Sequence, residues 1–189
     1  MTKVILGFFL CLAWTLSAAC GLTIVSRADW HGQEPDGEID NLKSPVNKVI
    51  ISHTASGSCN NRASCDHKVK SIQKQQMDVM GFSDIAYNFL IGNDGNVYEG
   101  RGWNKVGAHT RGHNTDSIGI SFIGIFDSEA PSEDALNIAK ELIAEGVRNG
   151  KLSANYKLFG HRQFSSTNSP GDSLYAIIKK WPQWSRGNR

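Results

Sequence analysis

Two short runs rich in aromatic and branched residues, 87–91 (YNFLI) and 97–101 (VYEGR), flank Gly-Asn-Asp-Gly-Asn, a pattern that predicts a β-hairpin. The loop length decides which side chains share a face. A two-residue Asp94-Gly95 turn pairs Tyr87 with Gly102 and sends Arg101 the other way. A three-residue loop, Asn93-Asp94-Gly95, places Gly95 in the left-handed conformation it tolerates cheaply and pairs Tyr87 with Arg101. Both side chains then project from one face, because side chains alternate along strands. The second register is preferred. It sets a phenol beside a guanidinium, a surface suited to an anionic, hydroxyl-rich ligand.

The remaining pattern alternates strands and helices. Residues 24–27 read as a short opening strand, and 31–47 as polar loop. The compact apolar run Val49-Ile50-Ile51 predicts a central strand that delivers Ser52, His53 and Thr54 at its tip. Across 63–80, Val69, Ile72, Gln76, Met77 and Met80 recur near helical spacing, and Gly81 supplies the stop. Residues 117–126, with Ile118, Ile120 and Phe122, predict another strand. Ser132 caps a second helix with Glu133 and Asp134 in its first turn and a stripe of Leu136, Ala139, Ile143 and Val147. A short strand over 156–159 leads to Gly160-His161-Arg162. Ser169-Pro170-Gly171-Asp172 opens a third helix with Pro170 at its first position. No internal repeat or domain boundary is visible. The fold class is α/β: a single domain with a central mixed β-sheet and three packed α-helices.

The N-terminus differs from the rest. Lys3 precedes an apolar run over 4–19 that ends in small residues, which predicts a signal peptide over 1–21, cleaved after Gly21 or after Ala19. The run is shorter than the ~20 residues a membrane span needs, and no later stretch could cross a bilayer. Cys11 falls in the signal and Cys20 beside the cut. Cys59 and Cys65 remain, an even pair in a secreted chain, and they predict one disulfide. Five residues between two cysteines, with no second pair nearby, do not match zinc spacing. A net charge of +2, with no Lys/Arg cluster, argues against nucleic acid as a partner. With 189 residues, 40% hydrophobic and 20% charged, the chain can build an ordered core.

In this order the chain carries SHTA at 52–55, CNNRASC at 59–65, SDIAYNFLIGNDGNVYEGRGWN at 83–104, GAHTRGHN at 107–114, SIGISFIG at 117–124, GHR at 160–162 and SPG at 169–171. Together these segments resemble the peptidoglycan recognition proteins, an animal innate-immunity family similar to phage-type amidases, and the likeness runs from about residue 24 to 184. The resemblance implies an amidase-like fold in a short, secreted, single-domain member. Catalytic members of the family are zinc amidases that cut between N-acetylmuramic acid and L-alanine. Carried position by position, their three zinc ligands fall on Ser52, His161 and Ser169, so one imidazole remains of a His-His-Cys set. Serine is neutral near pH 7 and a poor zinc ligand, and zinc hydrolases rely on three protein ligands. His53 stands next to the lost position, but on a continuous strand it points away from Ser52's side. Tyr87 and Thr167 match further amidase positions. The expectation is therefore no cofactor, no metal and no cleavage; a weak zinc amidase using His53 and His161 is the alternative.

The resemblance also implies a ligand groove lined by His53, Thr54, Gly81, Phe82, Tyr87, Arg101, His109, Thr110 and Asn114. Their side chains offer hydrogen bonds to amides, hydroxyls and carboxylates, while Phe82 and Trp103 offer apolar contact. His31 and His67 are read as structural. The expected ligand is bacterial peptidoglycan. Diaminopimelate-type stem peptides carry one more carboxylate than lysine-type ones, and a guanidinium can pair with it bidentately. Family members that prefer diaminopimelate have Arg at position 101 and Gly-Trp where this chain has Gly81-Phe82; the Arg and the Gly match, the Trp does not, though Phe82 keeps an aromatic face, and the chain leans to that type on Arg101. Downstream immune-signalling proteins are the implied partners. No cationic amphipathic helix supports killing by membrane contact.

Overall fold

A computed structural model describes residues 22–187. The expected signal peptide, Cys11 and Cys20 lie outside these residues. Six strands form one sheet in the order β1-β4-β3-β5-β2-β6, where β1 is Ile24–Val25, β2 Val46–His53, β3 Phe89–Ile91, β4 Val97–Glu99, β5 Ser117–Phe122 and β6 Leu152–Gly160. Only β3 and β4 pair antiparallel; the other neighbours are parallel, so the sheet is mixed as expected. Three α-helices pack on it: α1 (Arg62–Lys74), α2 (Glu133–Arg148) and α3 (Asp172–Ile178). No helix among the described residues is long and apolar enough to cross a membrane.

The hairpin takes the three-residue loop. Phe89 pairs with Glu99, Leu90 with Tyr98 and Ile91 with Val97. Gly95 has φ 75°, and its N–H donates to the Gly92 carbonyl at 3.1 Å. The register continues outward, for the Arg101 N–H donates to the Tyr87 carbonyl at 3.0 Å. Alternation along the strands splits the core in two. Val49, Ile51, Phe89, Ile91, Val97, Ile118, Ile120 and Phe122 face α2 and α3. Leu90, Tyr98 and Val25 face α1 together with Trp30, Val69, Ile72 and Ile85.

The helix ends follow local chemistry. Asn61 caps α1 by accepting the Ser64 N–H at 2.9 Å in a reciprocal box. Ser132 caps α2 by accepting the Ala135 N–H at 3.1 Å, and its own N–H and hydroxyl bond the Asn93 side chain and carbonyl, docking the hairpin tip on α2. Helix α3 begins at Asp172 after Gly171, not at Pro170. The Ser169 carbonyl accepts the Arg162 N–H at 2.9 Å, which holds the Ser-Pro step outside the helix. The Cys59–Cys65 disulfide forms, with a Cα–Cα distance of 5.0 Å, and anchors the loop before α1.

One buried carboxylate ties the α1 side together. Asp84 is fully buried. It accepts two bonds from the Arg27 guanidinium at 2.9 and 2.5 Å, one from the Gln73 amide at 2.9 Å and one from the Ile85 N–H at 2.7 Å. Arg27 also donates to the Gly100 carbonyl at 2.8 Å. The N-terminal segment, α1 and the hairpin thus meet on one charge pair. Asp84→Asn leaves the Arg27 cation without its counter-charge and is expected to cost about 3 kcal/mol of stability. Urea unfolding checks this; a change below about 1 kcal/mol, the worth of a surface pair, contradicts it.

Candidate functional site

The face of the sheet that carries α1 opens at the C-terminal tips of β2 and β5. There a cavity of about 430 Å³ is lined by Thr54, Ala55, Ser56, Ile72, Gln75, Gln76, Met80, Phe82, Ala86, Tyr87, Ala108, His109 and His161. Its volume lies in the range of small-ligand sites. Strand tips supply Thr54 and His161, the turn that follows α1 supplies Gln76 and Met80, and the hairpin supplies Tyr87. Its floor is polar. His109 is buried with its ring close over Gly119, where a Cβ would come within 2.2 Å of it. Ser121 follows two residues later on the same face, beside Ser52 across the β5–β2 pairing. The hydroxyls of Ser52 and Ser121 and Nε2 of His109 are buried without a hydrogen-bond partner.

The electrostatics are those of neutral groups. Burial pushes the His109 imidazole down to about 3, and the neighbouring His161 adds to the effect. His161 is itself lowered by burial and then by His53. His53 is lowered by burial, against the opposing pull of Asp127. Burial raises the Tyr87 phenol, whose hydroxyl faces Ser121 and Gln76. The cavity therefore presents uncharged hydrogen-bonding groups near pH 7.

Of the residues expected to bind ligand, Thr54, Phe82, Tyr87 and His109 line this cavity, and Gly81 adjoins it at the exposed turn beside Phe82. Thr110 and Asn114 stand behind it: Thr110 Oγ1 lies 3.0 Å from His109 Nδ1, and the Thr110 N–H donates to Asn114 Oδ1 at 2.8 Å. The other three lie elsewhere. His53 is the last residue of β2, and its Nδ1 accepts the Phe126 N–H at 3.4 Å on the α3 side of the sheet. Trp103 packs its ring 4.6 Å from Phe89 beneath α2, against Gly146, because an indole buries more apolar area there than at a polar groove. Arg101 donates to the carbonyls of Ile85, Val106 and Asp84 at 2.8, 2.9 and 3.3 Å. It lines adjoining hollows with Glu38, Ile39 and Lys105 rather than the Tyr87 cavity.

Gln75, Gln76, Ala86 and Ala108 were not anticipated in the cavity wall. Gln76 carried a signal, a polar residue inside an otherwise apolar helical stripe. Of the positions that the resemblance matched to zinc ligands, Ser52 is buried, and the Ser169 hydroxyl accepts the His53 N–H at 3.0 Å. Among the described residues no group of three or more His, Cys, Asp or Glu could hold a metal ion.

The sequence profile of a family described as N-acetylmuramoyl-L-alanine amidase matches residues 42–172. The chain is 46% identical to peptidoglycan-recognition protein SD of Drosophila simulans over 162 residues, covering 86% of this chain and 87% of that one. In three dimensions it is similar to the ectodomain complex of peptidoglycan recognition proteins LCa and LCx bound to tracheal cytotoxin, at TM-score 0.87 and 51% identity over 88% of this chain and 100% of that one. It is likewise similar to peptidoglycan recognition protein LE in complex with tracheal cytotoxin, described as monomeric diaminopimelic acid-type peptidoglycan, at TM-score 0.85 and 48% identity over 86% and 95% of the two chains. An amidase-like sheet, a polar groove at its strand tips and this degree of identity over nearly the whole described chain lead to one conclusion: the protein belongs to the peptidoglycan recognition protein family.

Proposed function

We propose that the protein is a secreted pattern-recognition protein that binds muramyl peptides of bacterial peptidoglycan without cleaving them and passes the signal to partner proteins. The observation that carries the reading is the neutral, hydrogen-bonding cavity around Tyr87 and His109, with hydroxyls at two of the three positions that the resemblance matches to zinc ligands. An N-acetylmuramyl peptide offers amides and sugar hydroxyls that such a cavity can bond, and Phe82 and Met80 give its apolar groups a surface. Zinc does not fit this donor set. The Ser169 hydroxyl already accepts a backbone N–H, Ser52 supplies a second neutral hydroxyl, and His161 is a single imidazole. His53 does not repair the set, because its Nδ1 is engaged on the other face. The apolar leader over 1–21 and the disulfide support export.

Purified protein incubated with muramyl peptide and added zinc is expected to release no free peptide; release that a chelator abolishes would establish the amidase instead. The lean to diaminopimelate rests on the Arg101 guanidinium, which lines hollows outside the Tyr87 cavity, and on the ligand named for the LE structure. Arg101→Ala is expected to shrink the affinity gap between diaminopimelate- and lysine-type muramyl peptides by about ten- to a hundredfold, the worth of one charged hydrogen bond. Equal losses for both, by calorimetric titration, contradict this.

The buried imidazoles fix a pH dependence. His109 has a folded pKa of about 3 against an ordinary value of 6.5. Between these limits the unfolded chain binds a proton that the folded one refuses, so stability falls as pH falls below 6.5. From pH 7 to pH 5 the loss from His109 alone is about 2 kcal/mol. Urea midpoints at the two pH values read it, and an unchanged stability contradicts the neutral floor.

A further inference from the structure

The end of α1 leaves the α-helical ladder before the chain turns into the groove. Over Gln75–Val79 the helix makes a π turn, and the Met80 N–H reaches back to the Gln75 carbonyl at 3.3 Å. The chain stops at Gly81, whose φ of 72° is left-handed, and the Phe82 N–H donates to the Gln76 carbonyl at 3.0 Å. That closure is one residue longer than the one that ends an ordinary α-helix. Gln76 is 8% exposed although polar, and its Oε1 accepts the Ala86 N–H at 2.8 Å. The Ala86 carbonyl in turn accepts the Ala108 N–H at 2.8 Å, next to His109. A single glutamine therefore holds Phe82 through its main chain and the Ala86–Tyr87 wall through its side chain.

We propose that Gln76 is a positioning residue for ligand binding: its two oxygens set the span between the Phe82 lip and the wall carrying Tyr87 and His109. The inference rests on the groove-binding function proposed above and names a residue that governs the same site. Hydrocarbon of the same shape would fill the stripe begun by Val69 and Ile72 equally well. It could not accept the Ala86 N–H, and a buried donor left without a partner destabilises the geometry that placed it.

Gln76→Met keeps the length of the side chain and removes the acceptor. The dissociation constants for diaminopimelate- and lysine-type muramyl tripeptides are expected to rise together by about tenfold, one hydrogen bond's worth, and hydrogen exchange at the Ala86 amide is expected to accelerate. Gln76→Glu restores an oxygen acceptor and is expected to keep the Ala86 amide protected and to recover part of the binding that the Met variant loses. Should Gln76→Met not fold, Gln76→Asn withdraws the acceptor by one methylene and is expected to show the same two effects. A Met or Asn variant that binds both peptides like the parent overturns the proposal. So does a Glu variant that loses binding while Ala86 stays protected, since the amide nitrogen would then be touching ligand directly. Parent protein that binds neither peptide while Ala86 is protected overturns the groove function itself, an outcome distinct from both.

Discussion

The buried Asp84 carboxylate is the constraint on which the groove depends. It stands two residues before the segment that becomes the cavity wall, and it is held from three directions: by Arg27 of the N-terminal segment, by Gln73 of α1 and by its own neighbour Ile85. A charge in a nearly water-free place persists only when it is paired and its remaining lone pairs are bonded, and here both conditions are met. The result is a fixed starting point for residues 84–87. From that point Ile85 enters the apolar layer under α1, Ala86 meets Gln76, and Tyr87 reaches the cavity. The ligand groove is thus hung from an ion pair that never touches it.

The hairpin and the sheet were legible because each is set by short-range rules. A loop with Gly at its last position and alternating arms fixes its own register, and the helix stripes of α1 and α2 announce the faces they cover. What escaped was decided at long range. Asp84 reads in sequence as one more polar residue in a turn, since its partner Arg27 lies 57 residues away. Trp103 looks like a binding-site aromatic until α2 is laid over it with Gly146 making room. Arg101 did share an edge with Tyr87, as the register demanded, but its side chain is long enough to be captured by three carbonyls. Pro170 suggested a helix start two residues early, because local preference could not foresee that Ser169 would be bonded to Arg162.

The floor of the cavity is built from neutral hydrogen-bonding groups. Ser52 and Ser121 lie side by side under His109, and none of the three carries a formal charge at neutral pH. Hydroxyls make it a place for dipoles, where discrimination comes from the direction of hydrogen bonds rather than from charge. The positive charge of Arg101 sits apart from this floor, in hollows lined with Glu38 and Ile39.

The extra residue wound into the tip of α1 has a consequence for how such a groove is held. Of the five residues in the widened turn Gln76 alone is buried, bonded to the cavity wall at Ala86, while Val79 and the following Met80 are exposed at 78% and 54%. The lip of the groove is thus steadied from inside the turn, and the turn's outer side faces water.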